Sequence, residues 1–413
     1  MPSALTVLYL VYIFISLYML ALYIMIYIPN RREFFSSPKP EKEYSLDMIV
    51  PCYNEEDTIK GTIKALLDSD YGGLKKIIVV DDNSTDNSFG IIKKIAKENS
   101  RVIAVQTPKN TGKASGSKNY GAKFSESEII GFSDADSYPD KTAIGRMIGF
   151  FNDEKVGAVT SAVLAKKPEK LLERLQSIEY RIIVFTRKLL DFVGAIYVTP
   201  GPLALYRKSA FEKVGGFNEK NMTEDIEITW HLVSEGYRIR MSSLSRVYTV
   251  VPDRLKPWFR QRLRWNIGGV QTINHYKKAF GKKGILGGFI LPFFILSWIV
   301  GVSGLAILFY RLVRTIVVRV LSTTYSIQAQ AAIITFRDIN LVPDILFFFG
   351  VVLIIFGTAF TLVALKYTKD TGKDFKKVGI LSLLGYSFLY LLAYPVILLI
   401  SVYKLIFRRS YSW

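Results

Sequence analysis

Apolar residues along this chain fall into two patterns. Four long runs, Ala4–Ile28, Gly284–Tyr310, Ile345–Leu365 and Val378–Tyr403, contain no Asp, Glu, Lys or Arg. At about 1.5 Å of rise per residue, each is long enough to cross a hydrocarbon core about 30 Å thick. They predict membrane-spanning helices. The first is expected to be a retained anchor rather than a signal peptide: no Lys or Arg precedes it, it outruns an h-region, and no small-residue cleavage site follows. Four spans are expected, or five if Val320–Phe336 forms a re-entrant piece. The 311–343 stretch, with Arg311, Arg314, Arg319 and Arg337, is expected to be a loop.

Between the first and second runs the apolar segments are short. Leu46–Val50, Lys75–Val80, Val102–Thr107 and Glu128–Ser133 predict strands. Glu55–Leu67 predicts a helix, with Ile59, Ile63, Leu66 and Leu67 on one side. Further helices are expected over Pro168–Phe192, Met222–Ser234 and Pro257–Phe280, and Val198–Arg207 reads as a loop and strand turned by Gly201 and Pro202. Strands alternating with helices predict an α/β domain with a mainly parallel sheet. In such sheets ligands lie beyond the carboxyl ends of the strands. Polar or acidic residues sit at three of those ends: Asn54 and Glu55, Asp81 and Asp82, Asp134 and Asp136.

Charge and composition narrow the function. The 413 residues carry a formal net charge of +19. The excess fits anionic lipid headgroups and an anionic substrate such as a nucleotide diphosphate. No recognised nucleic-acid motif accompanies it, so nucleic-acid binding is not expected. Cys52 is the only cysteine, which excludes an intramolecular disulfide and a cysteine zinc site; His231 and His275 are the only histidines, which disfavours a histidine triad. Arg31 and Arg32, just after the first run, favour a cytoplasmic central region.

Several short motifs carry candidate chemistry. Asp134 and Asp136 are two apart at a strand end, so both carboxylates can face one divalent ion, or they can form an ordinary solvated turn. Asp81 and Asp82 can accept hydrogen bonds from a base or ribose, and Tyr53 can contact a flat base; helix capping is the plainer role of such positions. Lys113 can reach a phosphate or remain solvated. Thr223, Glu224 and Asp225 open a helix, whose N-terminus favours an ionised carboxylate and so a general base, or a simple acidic first turn. Gln261–Trp265 precedes the second run. Arg264 can fork onto phosphate and Trp265 can face a sugar, or the segment can be an interfacial helix with an aromatic anchor.

Taken together and in this order, the motifs resemble those of processive family-2 glycosyltransferases, the group of hyaluronan, chitin, cellulose and poly-N-acetylglucosamine synthases. The resemblance covers roughly residues 45–270 and rests on Val50–Glu56, Asp81–Ser84, Asp134–Asp136, Gly201–Leu203, Thr223–Asp225 and the Q-x-x-R-W element Gln261–Trp265. The poly-N-acetylglucosamine synthases are the most similar. Only one span precedes the domain, where some of the group have two.

The resemblance implies a GT-A type domain over 45–252, after an anchor (1–30) and a linker (31–44). Interfacial helices (253–283) and a C-terminal membrane region of about three spans (284–413) follow. It implies that Asp82 binds uracil, with Pro51, Tyr53, Glu55 and Asp81 nearby, and that Lys113 lies by the diphosphate. Asp134 and Asp136 would serve the donor and its Mg2+ or Mn2+. Gly201, Pro202, Leu203 and Glu224 would line the acceptor site, and Asp225 would be the catalytic base. Gln261, Arg264 and Trp265 would close the donor site and meet the acceptor sugar. The implied function is inverting elongation of a β-linked polysaccharide from a UDP-sugar, UDP-N-acetylglucosamine favoured, by a multi-pass cell-membrane enzyme with its catalytic domain in the cytoplasm. Passage of the polymer across the membrane and a small membrane subunit are further expectations. The alternatives are transfer of one sugar to a polyprenyl-phosphate or other lipid acceptor, and a non-catalytic membrane scaffold.

Overall fold

In a computed structural model, residues 4–329, 345–368 and 379–407 are described. The chain opens with helix α1 (Ala4–Asn30) and enters an α/β layer: β1 (Leu46–Cys52), α2 (Ile59–Leu67), β2 (Leu74–Asp81), α3 (Ser88–Glu98), β3 (Val102–Gln106), α4 (Ala114–Ala122) and β4 (Ile129–Phe132). Then come β5 (Ser137–Pro139), α5 (Gly145–Ile148), β6 (Val156–Ala165), α6 (Leu171–Phe192), β7 (Ala204–Arg207), α7 (Lys208–Lys213), α8 (Glu224–Ser234) and β8 (Arg238–Thr249). The remainder is helical: α9 (Leu255–Tyr276), α10 (Leu291–Gln328), α11 (Ile345–Tyr367), α12 (Ile380–Gly385) and α13 (Leu391–Phe407), with single π-turns at Leu286–Ile290 and Tyr386–Tyr390.

The strands form one sheet in the order β3-β2-β1-β4-β7-β6-β8-β5. Pairings among β3, β2, β1 and β4 are parallel, as is β6 with β8; β7 runs antiparallel to both its neighbours and β5 to β8. The sheet is therefore mixed with mostly parallel strands. Every residue of β1 and β6 is buried, as expected of strands covered on both faces. Met48 and Val50 join one core with Ile59, Ile63 and Leu66 of α2. Ile49 enters the opposite core with Ile130, Phe132 and Trp230.

Three strands were not legible in the hydrophobic pattern: β5, β6 and β8. The twelve residues of β8 contain Ser242, Ser243 and Ser245, all buried. Two of the hydroxyls have backbone partners: Ser243 bonds the Phe34 carbonyl, and the Ser245 amide donates to Ser242 Oγ at 3.2 Å, whereas the buried Ser245 Oγ has no hydrogen-bond partner among the described residues.

Among the described residues, three helices are long and apolar enough to cross a membrane: Thr6–Asn30, Leu286–Gln328 and Phe348–Tyr367; Leu391–Phe407 is a shorter apolar helix. The expected loop from 311 is corrected as far as 328, because α10 continues through Arg311, Arg314 and Arg319. No Gly or Pro interrupts residues 305–328, so nothing breaks the helix there. Its 38 residues reach about 57 Å, well beyond one hydrocarbon core. Arg337 and residues 330–336 of the expected re-entrant piece lie outside the described residues.

One face of α9, the helix expected at the membrane surface, packs against protein. Its Trp258 Nε1 donates to Tyr390 Oη at 2.8 Å, and Arg262 is fully buried. Arg262 pairs with Glu179 of α6 and donates to Tyr394 Oη at 2.9 Å. The π-turn at Tyr386–Tyr390 and the following helix thus clamp the element that carries Arg264 and Trp265.

Candidate active site

The strand ends at β1, β2 and β4 open into one cavity of about 550 Å3. Its floor is set by loops that leave the sheet through left-handed residues. Asn54 (φ 55°) and Asn83 (φ 59°) turn the chain after β1 and β2, and asparagine tolerates that conformation better than most side chains. The two loops are tied together: Asn54 N donates to Ser84 Oγ at 3.0 Å, and Thr85 N donates to Asn54 Oδ1 at 2.8 Å. The Asp82 carboxylate accepts from Thr107 Oγ1 and Thr111 Oγ1, both at 2.8 Å, and from Thr111 N at 3.0 Å. It thereby fixes the loop that carries Lys113. The Lys113 ammonium in turn donates to the Glu219 carbonyl at 2.9 Å, drawing the loop before α8 toward the cavity.

Acidic groups converge opposite. Burial pushes the Asp136 carboxyl up to about 7, and the Asp134 and Glu55 charges add to that effect. Burial also raises Glu55, with Asp134 contributing. These carboxylates repel one another, so a cation would relieve the site. Among the described residues no group of three or more His, Cys, Asp or Glu is arranged to hold a metal ion. Asp134 and Asp136 both line the cavity, and two carboxylates with substrate phosphates are a donor set that a hard divalent cation accepts.

Gly201 explains why that pair remains accessible. A Cβ there would stand 2.5 Å from Asp134 Oδ2, so the glycine lets the 201–202 turn approach the carboxylate where it now lies. At the far wall, α8 begins with Glu224 and Asp225 after Thr223. The buried Lys118 ammonium lies 2.9 Å from Glu224 Oε1 and 3.6 Å from Asp134 Oδ1. Burial alone would weaken its charge, but Glu224 and Asp134 hold its pKa above the ordinary lysine value. Burial works against the Glu224 charge too; Lys118 overcomes it and holds that carboxyl below its usual range.

Asp225 has no such direct partner. Burial and the Glu224 charge push it up to about 6, partly offset by Lys118 and Arg264. Arg264 and Trp265 complete the wall from α9. They are held there by close helix packing: a Cβ at Gly268 would stand 2.0 Å from Thr223 Oγ1, so α9 rests directly on the start of α8.

Residues 47–215 match Glycosyl transferase family 2. The chain resembles that family over less than half of its length. It is 33% identical over 267 residues to the poly-beta-1,6-N-acetyl-D-glucosamine synthase of Staphylococcus aureus strain MSSA476, covering 63% of this chain and 64% of the relative. The Staphylococcus epidermidis synthase of the same name is 30% identical over 247 residues, 59% of each chain. The matches thus span less than two thirds of these relatives. A mannosyltransferase from Pyrobaculum calidifontis, solved with GDP-Man and Mn2+, superposes with a TM-score of 0.61 at 18% identity over 98% of this chain and 100% of the other. That likeness establishes a shared fold.

The stretch matched by family 2 supplies Pro51, Tyr53, Glu55, Asp82, Lys113, Asp134, Asp136 and Gly201 to the cavity; Glu224, Asp225, Arg264 and Trp265 reach it from beyond residue 215. Pro202 lines a smaller adjoining cavity. Three expected residues do not line either space. Asp81 is fully buried and accepts from Gln106 Nε2 at 2.9 Å, shaping the loop from behind. Leu203 is fully buried, because the chain has already turned into β7 and alternate side chains face the core. Gln261 bonds the Arg262 guanidinium one residue away, on the side of α9 that faces the spans.

Lys118 was missed. Its only sequence signal is the small-residue segment Ala114–Ser117, which lets α4 press against the sheet: a Cβ at Gly121 would stand 2.7 Å from both Ile49 and Val80.

Proposed function

We propose that the chain is an inverting glycosyltransferase that elongates a β-linked polysaccharide from a UDP-sugar at the cytoplasmic face of the cell membrane, with UDP-N-acetylglucosamine the favoured donor. The carrying observation is the convergence of Asp134, Asp136, Asp225, Arg264 and Trp265 on one cavity from three separated stretches of chain. The Staphylococcus relatives, named as poly-N-acetylglucosamine synthases, support the choice of polymer and sugar. The apolar helices on both sides of the domain support a multi-pass membrane location.

In this reading the Asp225 carboxylate takes the proton from an acceptor hydroxyl as that oxygen attacks the anomeric carbon. The bond from that carbon to UDP breaks, and UDP leaves with the electron pair. Asp225 suits the task because its pKa near 6 leaves it ionised at neutral pH yet basic enough to hold a proton. A single displacement inverts the centre, so an α-linked donor gives a β-linked product. Arg264 offers a fixed charge to the departing diphosphate, and Lys113 stands on the loop beside it. Trp265 presents an apolar face to the acceptor sugar. Asp134 and Asp136 would hold Mg2+ or Mn2+, which supplies charge neutralisation to the diphosphate. Export of the polymer alongside the spans belongs to the same reading.

The test is UDP release by the purified full chain against a panel of UDP-sugars, with and without Mn2+ or Mg2+, followed by sizing of the product. A long ladder with one preferred donor supports elongation. A single-sugar lipid product would replace it with one-step lipid glycosylation, and binding of UDP with no release under any condition would favour a scaffold.

A further inference from the structure

A second cavity of about 230 Å3 adjoins the donor cavity, and Asp134, Gly201, Asp225 and Trp265 border both. Its other side is built from one face of α6: Tyr180, Ile183, Val184 and Arg187, spaced as a helical stripe. This face is apolar apart from the Tyr180 hydroxyl and one cation, Arg187; Thr223 and Arg264 also border the chamber. Arg187 is only 5% exposed, and its Nε and Nη1 have no hydrogen-bond partner.

Other buried cations have partners: Arg181 donates to the Leu365 carbonyl at 2.9 Å, and three more meet carboxylates. Lys118 meets Glu224, Lys188 meets Asp191 at 2.7 Å, and Arg262 meets Glu179. Arg187 makes no ion pair with a carboxylate among the described residues. Burial depresses its pKa, and the more distant Tyr197 and Asp225 only partly oppose this. An unpaired buried guanidinium is destabilising, so its retention beside a reactive carboxylate calls for a ligand. Guanidinium donors match phosphate oxygens in a fork. In the proposed reading the donor diphosphate occupies the larger cavity, so an anion in the smaller one comes with the acceptor.

We propose that Arg187 binds a phosphate-class anion on the acceptor, in the small apolar chamber behind Asp225. This rests on the reading of Asp225 as the base of a sugar transferase. The anion is bound rather than transferred; the attacking group remains an acceptor hydroxyl. Two sources share this chemistry: a lipid-linked phosphate, whose chain the apolar wall of α6 would accept, and a charged substituent on the polymer. Contacts of α6 with α1, α11 and α12 place the chamber beside the apolar helices.

The test uses the full chain in zwitterionic lipid nanodiscs with the donor cavity saturated by UDP. Affinities for octyl phosphate, octanol and inorganic phosphate are measured for wild type, Arg187→Met and Arg187→Lys. Octyl phosphate is expected to bind wild type, to weaken by about tenfold to a hundredfold in Arg187→Met, and to recover partly in Arg187→Lys. Octanol affinity should not follow the charge. Binding of octyl phosphate without inorganic phosphate assigns the anion to a lipid; equal binding of both assigns it to the polymer. Arg187→Met should also melt no lower than wild type, since it removes an unpaired cation. Equal octyl phosphate binding by wild type and Arg187→Met, no binding by either, or a lower melting temperature in Arg187→Met would overturn the assignment. UDP binding and release by wild type are read separately, so failure of the transferase reading is distinguishable from failure of the anion site.

Discussion

Gly201 and Asp134 are matched across the mouth of the two cavities: a single methyl on Gly201 would sit 2.5–2.6 Å from both carboxylate oxygens. The Asp134 side chain is 37% exposed, so it can swing away from such a methyl without disrupting the core. Gly201→Ala is therefore expected to displace the carboxylate rather than unfold the domain. Misplacement by about 1 Å at a reacting centre costs about a hundredfold in rate. Steady-state kinetics should show that loss together with a raised metal requirement, and thermal unfolding should change little.

A second prediction concerns pH. The proposed base, Asp225, is active only when deprotonated, and its pKa lies at about 6. With divalent metal saturating, so that Asp136 with its raised pKa stays ionised, kcat/KM should be flat above that value and fall by about tenfold per pH unit below it. The measurement is a pH profile of UDP release at limiting donor, buffered without changing ionic strength.

Lys118 tunes that limb. Its charge lowers the Asp225 pKa and neutralises Glu224 and Asp134. Lys118→Gln removes the lowering charge, so the acid limb should move to higher pH. The same variant leaves a buried carboxylate without its cation and should unfold at lower temperature. A profile that keeps its limb near 6 would show that Lys118 does not act on the base.

The Arg262–Glu179 pair offers a test of how α9 is held. Arg262 is fully buried and Glu179 nearly so. Breaking such a pair by removing one partner costs about 3–5 kcal/mol, whereas replacing both by apolar residues costs less. Arg262→Met and Glu179→Leu should each lower the unfolding temperature, and the double variant should recover part of the loss. Activity should fall in all three, because Arg264 and Trp265 are carried by the same helix.

Much of this site was legible in the sequence for a simple reason. The strands β1, β2 and β4 are covered on both faces, so they stand out as apolar runs, and acidic residues at their ends are conspicuous. The spacing of Asp134 and Asp136 and the acidic start of α8 follow from strand and helix periodicity. The rest depended on tertiary partners. Lys118 and Arg187 look like solvated cations until α4 and α6 bury them. Leu203 lies within the recognised turn motif, yet strand alternation turns it into the core. Serine-containing β8 lacked an apolar run: serines stand at three of its buried positions, and two of their hydroxyls find backbone partners inside the fold. The arginines after 310 looked like a loop, but an uninterrupted helix tolerates them.

The central claim is that Asp225 removes the acceptor proton. The direct measurement compares UDP release by wild type and Asp225→Asn at equal UDP occupancy, with UDP affinity determined alongside. Release by the variant should drop by about a hundredfold to ten-thousandfold with UDP affinity essentially retained. Equal release by the two proteins would contradict the account.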